Sequence, residues 1–215
     1  MRHEILRKRL RRAGYTVVEV MMALAVLSAG ATGIIAMQKA TLIGNMRARN
    51  LSTATAIAST WLDRLKLDGL GWKKLDTGGD TIATTRWLNV IGQDFPNVSA
   101  PEGTWTIPAV DAVAGYSPNA DMRGLDITDP ARFADTAYCT HLNIRQILPN
   151  VTRVQVRVFW LRMHGTDVSG KYAGTLNGEQ LCSQNPGYVS AVGAETGRYH
   201  FVYMSDAVMQ NGANL

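Results

Sequence analysis

The chain opens on a basic stretch, turns apolar, and only then settles into the mixed pattern of a folded domain. Val20 to Met37 contains no charged residue, and Gln38 and Lys39 follow it. As a helix this run rises about 27 Å, the short end of what spans a bilayer. Beyond it, Ala40, Ile43, Ala54, Ile57, Ala58, Trp61, Leu62 and Leu65 recur at spacings near three and four. Arg47, Arg49, Asp63, Arg64 and Lys66 fall between them. No proline interrupts from Tyr15 to Leu67. The pattern predicts one nearly continuous helix of roughly 80 Å, ended by Gly69 and Gly71. Its first half is apolar all round, and its second half is suited to packing on a domain.

The rest of the chain reads as strands and turns. Glycines and prolines break the apolar runs from Leu70 to Pro101, with a short helix expected around Thr85–Ile91. Trp105 and Ile107 suit a short strand ending at Pro108. Pro118 to Asp135, rich in Asp, Gly and Pro, reads as a surface loop. Val151–Leu161 is the clearest strand: Val154, Val156, Val158 and Trp160 share one face, and Gln155, Arg157 and Phe159 the other. Ala137–Arg145 is placed to pair with it through a turn at Pro149-Asn150. Arg198–Ser205 alternates Tyr199, Phe201 and Tyr203 with His200, Val202 and Met204. Gly165–Tyr188 is a long connection carrying Cys182. These elements predict an α+β fold, a long helix laid across an antiparallel sheet.

Charge changes the picture at one end only. Of 215 residues, 22 are Lys or Arg and 17 are Asp or Glu, giving a formal charge of +5. Residues 1–14 hold Arg2, Arg7, Lys8, Arg9, Arg11 and Arg12 against Glu4, so the remainder is formally neutral. The basic pI belongs to this leader, and the inference to nucleic acid falls with it. By the positive-inside rule the leader keeps the N-terminus in the cytoplasm and sends the C-terminal domain across the membrane. Export in turn favours a disulfide between Cys139 and Cys182 over two separate reduced thiols.

Glu19 is the odd residue, a carboxylate at the edge of an apolar segment. Taken alone it marks the membrane boundary. Its setting is Gly14-Tyr15-Thr16-Val17-Val18-Glu19-Val20-Met21-Met22-Ala23-Leu24 behind a basic leader. That sequence closely resembles the class III signal of type IV prepilins. In these a glycine precedes an aromatic residue, usually Phe where this chain has Tyr15, and a glutamate takes the fifth mature position. The resemblance implies cleavage by prepilin peptidase between Gly14 and Tyr15, N-methylation of Tyr15, and retention of the apolar helix for subunit assembly. It further implies that Glu19 pairs with the freed amine of a neighbouring Tyr15. An unpaired carboxylate is strongly disfavoured in an apolar fibre core, so the pair would set docking register.

Within the family, Ala23-Leu24-Ala25-Val26-Leu27-Ser28-Ala29-Gly30, then Gly33, Gln38, Ala56-Ile57-Ala58 and Leu62-Asp63-Arg64-Leu65, look most like the pilus-modification group of minor pilins (PilV-type). Ala36 stands near where major pilins usually carry a proline. The resemblance covers the first seventy residues and implies a chain divided into three. These are a leader (1–14), an assembly helix (15–68, transmembrane over 20–37), and a periplasmic or extracellular pilin domain (69–215). The implied partners are other minor and major pilins, prepilin peptidase, the inner-membrane assembly platform and the membrane itself, with no nucleic acid. The pseudopilins of type II secretion share the same N-terminal grammar, and a pilus-borne tip adhesin is a third reading.

Nothing in the sequence argues for catalysis, a metal or another cofactor. Cys139, His141 and Cys182 match no standard zinc spacing. The remaining histidines, His3, His164 and His200, are scattered. No nucleophile elbow or phosphate-binding glycine loop occurs. Asp121, Asp126 and Asp129 lack the calcium-loop pattern and read as a solvated acidic loop. Tyr199, Phe201 and Tyr203 are read as a sheet face packed on the helix rather than an adhesive stripe. Arg145, Arg153, Arg157 and Arg162 are read as a solvated strand face.

Overall fold

The helical and alternating patterns reappear as elements of the computed structural model, which describes residues 15–75, 79, 81–89, 104–162 and 180–212. In chain order these are α1 (Val17–Gly69), β1 (Asn119–Ala120), β2 (Tyr138–Leu148), β3 (Val151–Leu161), α2 (Pro186–Val192) and β4 (Tyr199–Met209). The four strands form one antiparallel sheet in the order β1-β2-β3-β4. The result is the expected α+β arrangement, with α1 packed against the sheet. Contacts divide the chain into two compact units, one ending at Ala48 and the other beginning at Arg49.

In the second unit, α1 contributes the stripe that its spacing predicts. Ala54, Ile57, Ala58, Trp61, Leu62 and Leu65 are buried and belong to one cluster with Leu142, Val154, Val156 and Val158. Each large side chain in that seam is worth about 1.5–3 kcal/mol of burial. Trp61 meets the edge of Trp87 at 5.4 Å, and Trp87 sits 5.6 Å from Tyr116. Where α1 ends, the Asp68 carboxylate accepts backbone N–H bonds from Arg86, Trp87 and Leu88 at 2.7–3.0 Å. These bonds hold Trp87 and Leu88 in the core by satisfying their backbone. Of the helix expected around Thr85–Ile91, Thr85–Trp87 are bends and Leu88 and Asn89 are in 3-10 conformation. A separate 3-10 turn occupies Ile82–Thr84, and residues 90 and 91 lie outside the described set.

The sheet departs from expectation on its other face. Strand alternation puts Val156 and Val158 toward α1 and Arg157 and Phe159 away from it. The register aligns His141, Arg157 and Tyr203 in one row, and Cys139, Phe159 and Phe201 in the next. Cys139, His141, Arg157 and Phe159 in these rows are buried rather than solvated. Cys139, Phe159, Leu181, Tyr188, Val192 and Tyr199 form a second core. The cover is the segment carrying α2, fastened by a Cys139–Cys182 disulfide with Cα atoms 5.2 Å apart. Tyr199 is therefore fully buried, and Tyr203 remains exposed at 56%. Packing of the tyrosine face on the long helix is thus reversed, because Val202 and Met204 take that side.

Arg157 is the sharpest correction, being 2% exposed rather than solvated. Its Nη2 donates to His141 Nδ1 at 2.6 Å and to the Val189 carbonyl at 3.0 Å. The Trp105 ring lies 4.5 Å from the guanidinium carbon. Because arginine only donates, His141 accepts at Nδ1 and carries its proton on Nε2. Burial, aided by the Arg157 charge, lowers His141 to about 2, and burial also lowers Arg157. Gly193 lines this site, since a Cβ there would stand 2.7 Å from Arg157 Nη1.

Pro118–Asp135 is also less of a surface loop than its composition suggests. Pro118, Asn119, Ala120 and Ile127 are buried, β1 pairs with β2, and a 3-10 turn spans Pro130–Asp135. Thr106, between Trp105 and Ile107, makes only an isolated bridge to Leu142. Of the Gly165–Tyr188 connection, residues 165–179 lie outside the described set.

Two measurements check the second core. A buried neutral histidine that would charge in the unfolded chain makes stability rise with pH. Between pH 6.5 and 5 unfolding should lose about 1.4 kcal/mol per unit of pH, and His141→Gln should flatten that slope in urea titrations. Asp126, raised by its burial, acts in the opposite sense only nearer the carboxylate range. Replacing Cys139 and Cys182 by serine opens a loop with a sequence separation of 43. Chain entropy predicts a loss of about 4 kcal/mol in the same titration.

Candidate membrane and assembly segment

The first unit is α1 from Val17 to Ala48, with Tyr15 and Thr16 before it. Its apolar side chains are uncovered: Val17, Val26, Met37 and Leu42 are among those more than 60% exposed. An 18-residue window reaches a mean hydropathy of 2.1 with none of it buried. Among the described residues this is the one helix long and apolar enough to cross a membrane. The few hydroxyls in it are satisfied locally. Ser28 donates to the Leu24 carbonyl at 2.7 Å, Thr32 to Ser28 at 3.0 Å, and Thr41 to Met37 at 3.0 Å. Such back-bonding leaves the segment with no side-chain demand on water between Leu24 and Met37.

The helix start has a local logic missed by the sequence reading. The Glu19 N–H donates to Thr16 Oγ1 at 3.2 Å, and the Val20 N–H to the Thr16 carbonyl at 3.2 Å. Thr16-Val17-Val18-Glu19 matches the Ser/Thr-x-x-Glu pattern of a capping box, which was legible from spacing alone. Glu19 also lies in the first turn, where the helix macrodipole favours an anion by about 0.3–1 kcal/mol. The carboxylate thus favours the start of its own helix. Tyr15 is 82% exposed immediately ahead of the cap. Gly14 and the rest of the leader lie outside the described residues.

In the second unit the residues considered for metal chemistry are spent otherwise. Cys139 and Cys182 are joined, and His141 is the buried acceptor of Arg157. His200 stacks on Trp160 at 5.3 Å, while His3 and His164 lie outside the described residues. Asp121 accepts from the Arg123 and Leu125 backbone, Asp126 pairs with Arg64 at 2.6 Å, and Asp129 caps the turn at Ala131. Those three carboxylates serve separate local structures. Among the described residues no group of three or more His, Cys, Asp or Glu is placed to hold a metal ion.

No family model, curated protein or solved structure matches this chain.

The cap predicts a measurable asymmetry at the helix start. Thr16→Ala should cost the first turn about 1 kcal/mol and speed amide exchange at Glu19 and Val20 several-fold in detergent micelles. Thr16→Ser should leave exchange nearly unchanged.

Proposed function

We propose that this chain is a minor pilin of a type IV pilus. Prepilin peptidase cuts between Gly14 and Tyr15, the new amino terminus is methylated, and Val20–Met37 holds the protein in the inner membrane. The domain beyond the span lies in the periplasm until the assembly platform moves the subunit into a fibre. There it joins other minor and major pilins, at the tip as part of a priming complex. The observation that carries this reading is the uncovered apolar half of α1, begun at Thr16 next to Glu19. The same helix supplies the core stripe of an α+β domain. A disulfide in that domain suits an exported compartment.

The mechanism is packing rather than catalysis. Once the leader is gone, the amine of Tyr15 brings a positive charge within one helical turn of Glu19. In the lipid-like interior of a fibre, a Glu19 carboxylate costs least when it meets such an amine from a neighbour. Hydrophobic contact supplies the adhesion between helices, and the ion pair selects the register.

Mass spectrometry of the native protein from membranes and sheared fibres is the direct test. A methylated Tyr15 terminus, absent from cells lacking prepilin peptidase, is the expected result. An intact Met1 or a terminus beyond Met37 would overturn the assignment. Glu19→Ala should reduce recovery in sheared fibres about tenfold, while Glu19→Asp keeps part of it. Equal recovery of the alanine variant would remove the register role.

A further inference from the structure

β4 bonds to β3 on one side only and forms an edge of the sheet. The direction of its backbone groups is fixed at both ends. The Arg162 N–H donates to the Arg198 carbonyl at 2.9 Å, and the Gln210 N–H to the Asn150 carbonyl at 2.9 Å. Even-numbered residues of the strand therefore bond toward β3. Odd-numbered residues turn outward: the Tyr199 N–H reaches the Glu195 carbonyl at 3.0 Å, and the Asn211 N–H the Trp72 carbonyl at 2.7 Å. Between those closed ends lie the outward N–H and C=O groups of Phe201, Tyr203 and Ser205, which have no partner among the described residues. Ala207 is next in line, and the Asp206 carboxylate accepts its N–H at 2.8 Å while also meeting Lys66 at 2.6 Å.

This window carries none of the features that keep an edge unpaired. Tyr199 to Ser205 contains no Lys, Arg, Asp, Glu or Pro and keeps an unbroken register with β3, whereas natural edges are blunted by charge, proline or a bulge. The opposite edge is protected. Residues 118–120 and Thr106 bond to β2 from Tyr138 to Leu142, and β2 is irregular between Gln146 and Leu148. The open window is also symmetrical about Tyr203. In an antiparallel pair with the same strand of a second copy, Tyr203 meets Tyr203 and Phe201 meets Ser205. Each such pair exchanges two backbone bonds, so every open donor in the window finds an acceptor, and the closed N–H groups of Tyr199 and Ala207 fall opposite one another outside it. The stacked rings of Phe201 and Tyr203, 5.8 Å apart in one chain, then continue into those of the other on one face of the joined sheet.

The geometry points to a second copy of this chain as the partner of β4: the two strands join antiparallel about a two-fold axis at Tyr203, through the backbone of Phe201, Tyr203 and Ser205. Main-chain bonds supply the adhesion, and the closed ends fix the register. The pairing involves the second unit alone and is independent of the processing and helix packing proposed above.

Amide exchange in the full chain, read residue by residue by NMR in detergent micelles, tests the pairing. At a high protein-to-detergent ratio the N–H groups of Phe201, Tyr203 and Ser205 should exchange about tenfold more slowly than after dilution into excess micelles. Val202 and Met204, already bonded to β3, should not respond. Ser205→Pro removes one outward donor from each copy and leaves the bonds to β3 intact. It should return Phe201 and Tyr203 to fast exchange while Val202 and Met204 stay protected. Ser205→Ala should keep the slow exchange. If the proline variant fails to fold, the dilution series of the unaltered chain decides. Equal exchange at every ratio, association through α1 with these three amides unprotected, or protection that survives Ser205→Pro would overturn the pairing. Fast exchange in the pure chain that slows only on adding a solubilised membrane extract would assign the edge to a foreign strand and overturn it too.

Discussion

The molecule depends on one seam, where Ala54, Ile57, Ala58, Trp61, Leu62 and Leu65 of α1 meet the valines of β3. Small and large residues alternate along it, so the helix approaches the sheet closely at Ala54 and Ala58 while Trp61 and Leu65 fill the space beside them. The remainder of the second unit is arranged to keep that seam dry. Asp68 binds the backbone that brings Trp87 and Leu88 against it. Arg64 on the same helix fixes the 121–126 turn through Asp126. The apolar half of the helix obeys a different constraint: it has no cover of its own among the described residues, and by length and composition it could cross a membrane.

Burial on both faces of β3 explains much of what is unusual in the domain. A strand alternating valine with glutamine and arginine ordinarily lies between a core and water. Here the segment from Leu181 to Val192 covers the second face at one end only. Gln155 and Arg153 at the other end are only partly buried, while Arg157 and Phe159 are enclosed. The enclosed arginine makes no ion pair among the described residues. It is supported by a histidine nitrogen, a carbonyl and an aromatic face. Weak partners that fit closely replace one strong partner, which ties the guanidinium to a fully closed cover.

The seam and the strands were legible because their signals are local. A three-and-four spacing and a period of two state which residues share a face, and Val151–Leu161 is a strand with the same bounds in sequence and structure. Glu19 and Cys139 stand out by their chemistry, and the Thr16 cap is equally local, since Thr16-Val17-Val18-Glu19 spans only four residues. The second core was not legible. Nothing near Arg157 in sequence indicates that Tyr188, Val189 and Gly193 will close over it. The acidic turn misled for a related reason: Asp, Gly and Pro mark where the chain bends, whereas Ile127 and Ala120 are buried by partners far away in sequence.

The cover on the far side of β3 is the only part of the described domain held by a covalent tie. Before that tie forms, Tyr188 and Val192 must hold the cover by contact alone, across a gap of 43 positions. The seam with α1 needs no such help. Without the bridge, the front of the sheet keeps every contact it has, whereas the closure over Arg157 rests on side-chain packing alone. The bridge is thus a lock on one face of the sheet alone, and its reduction would loosen the back of the domain while leaving the front as it is.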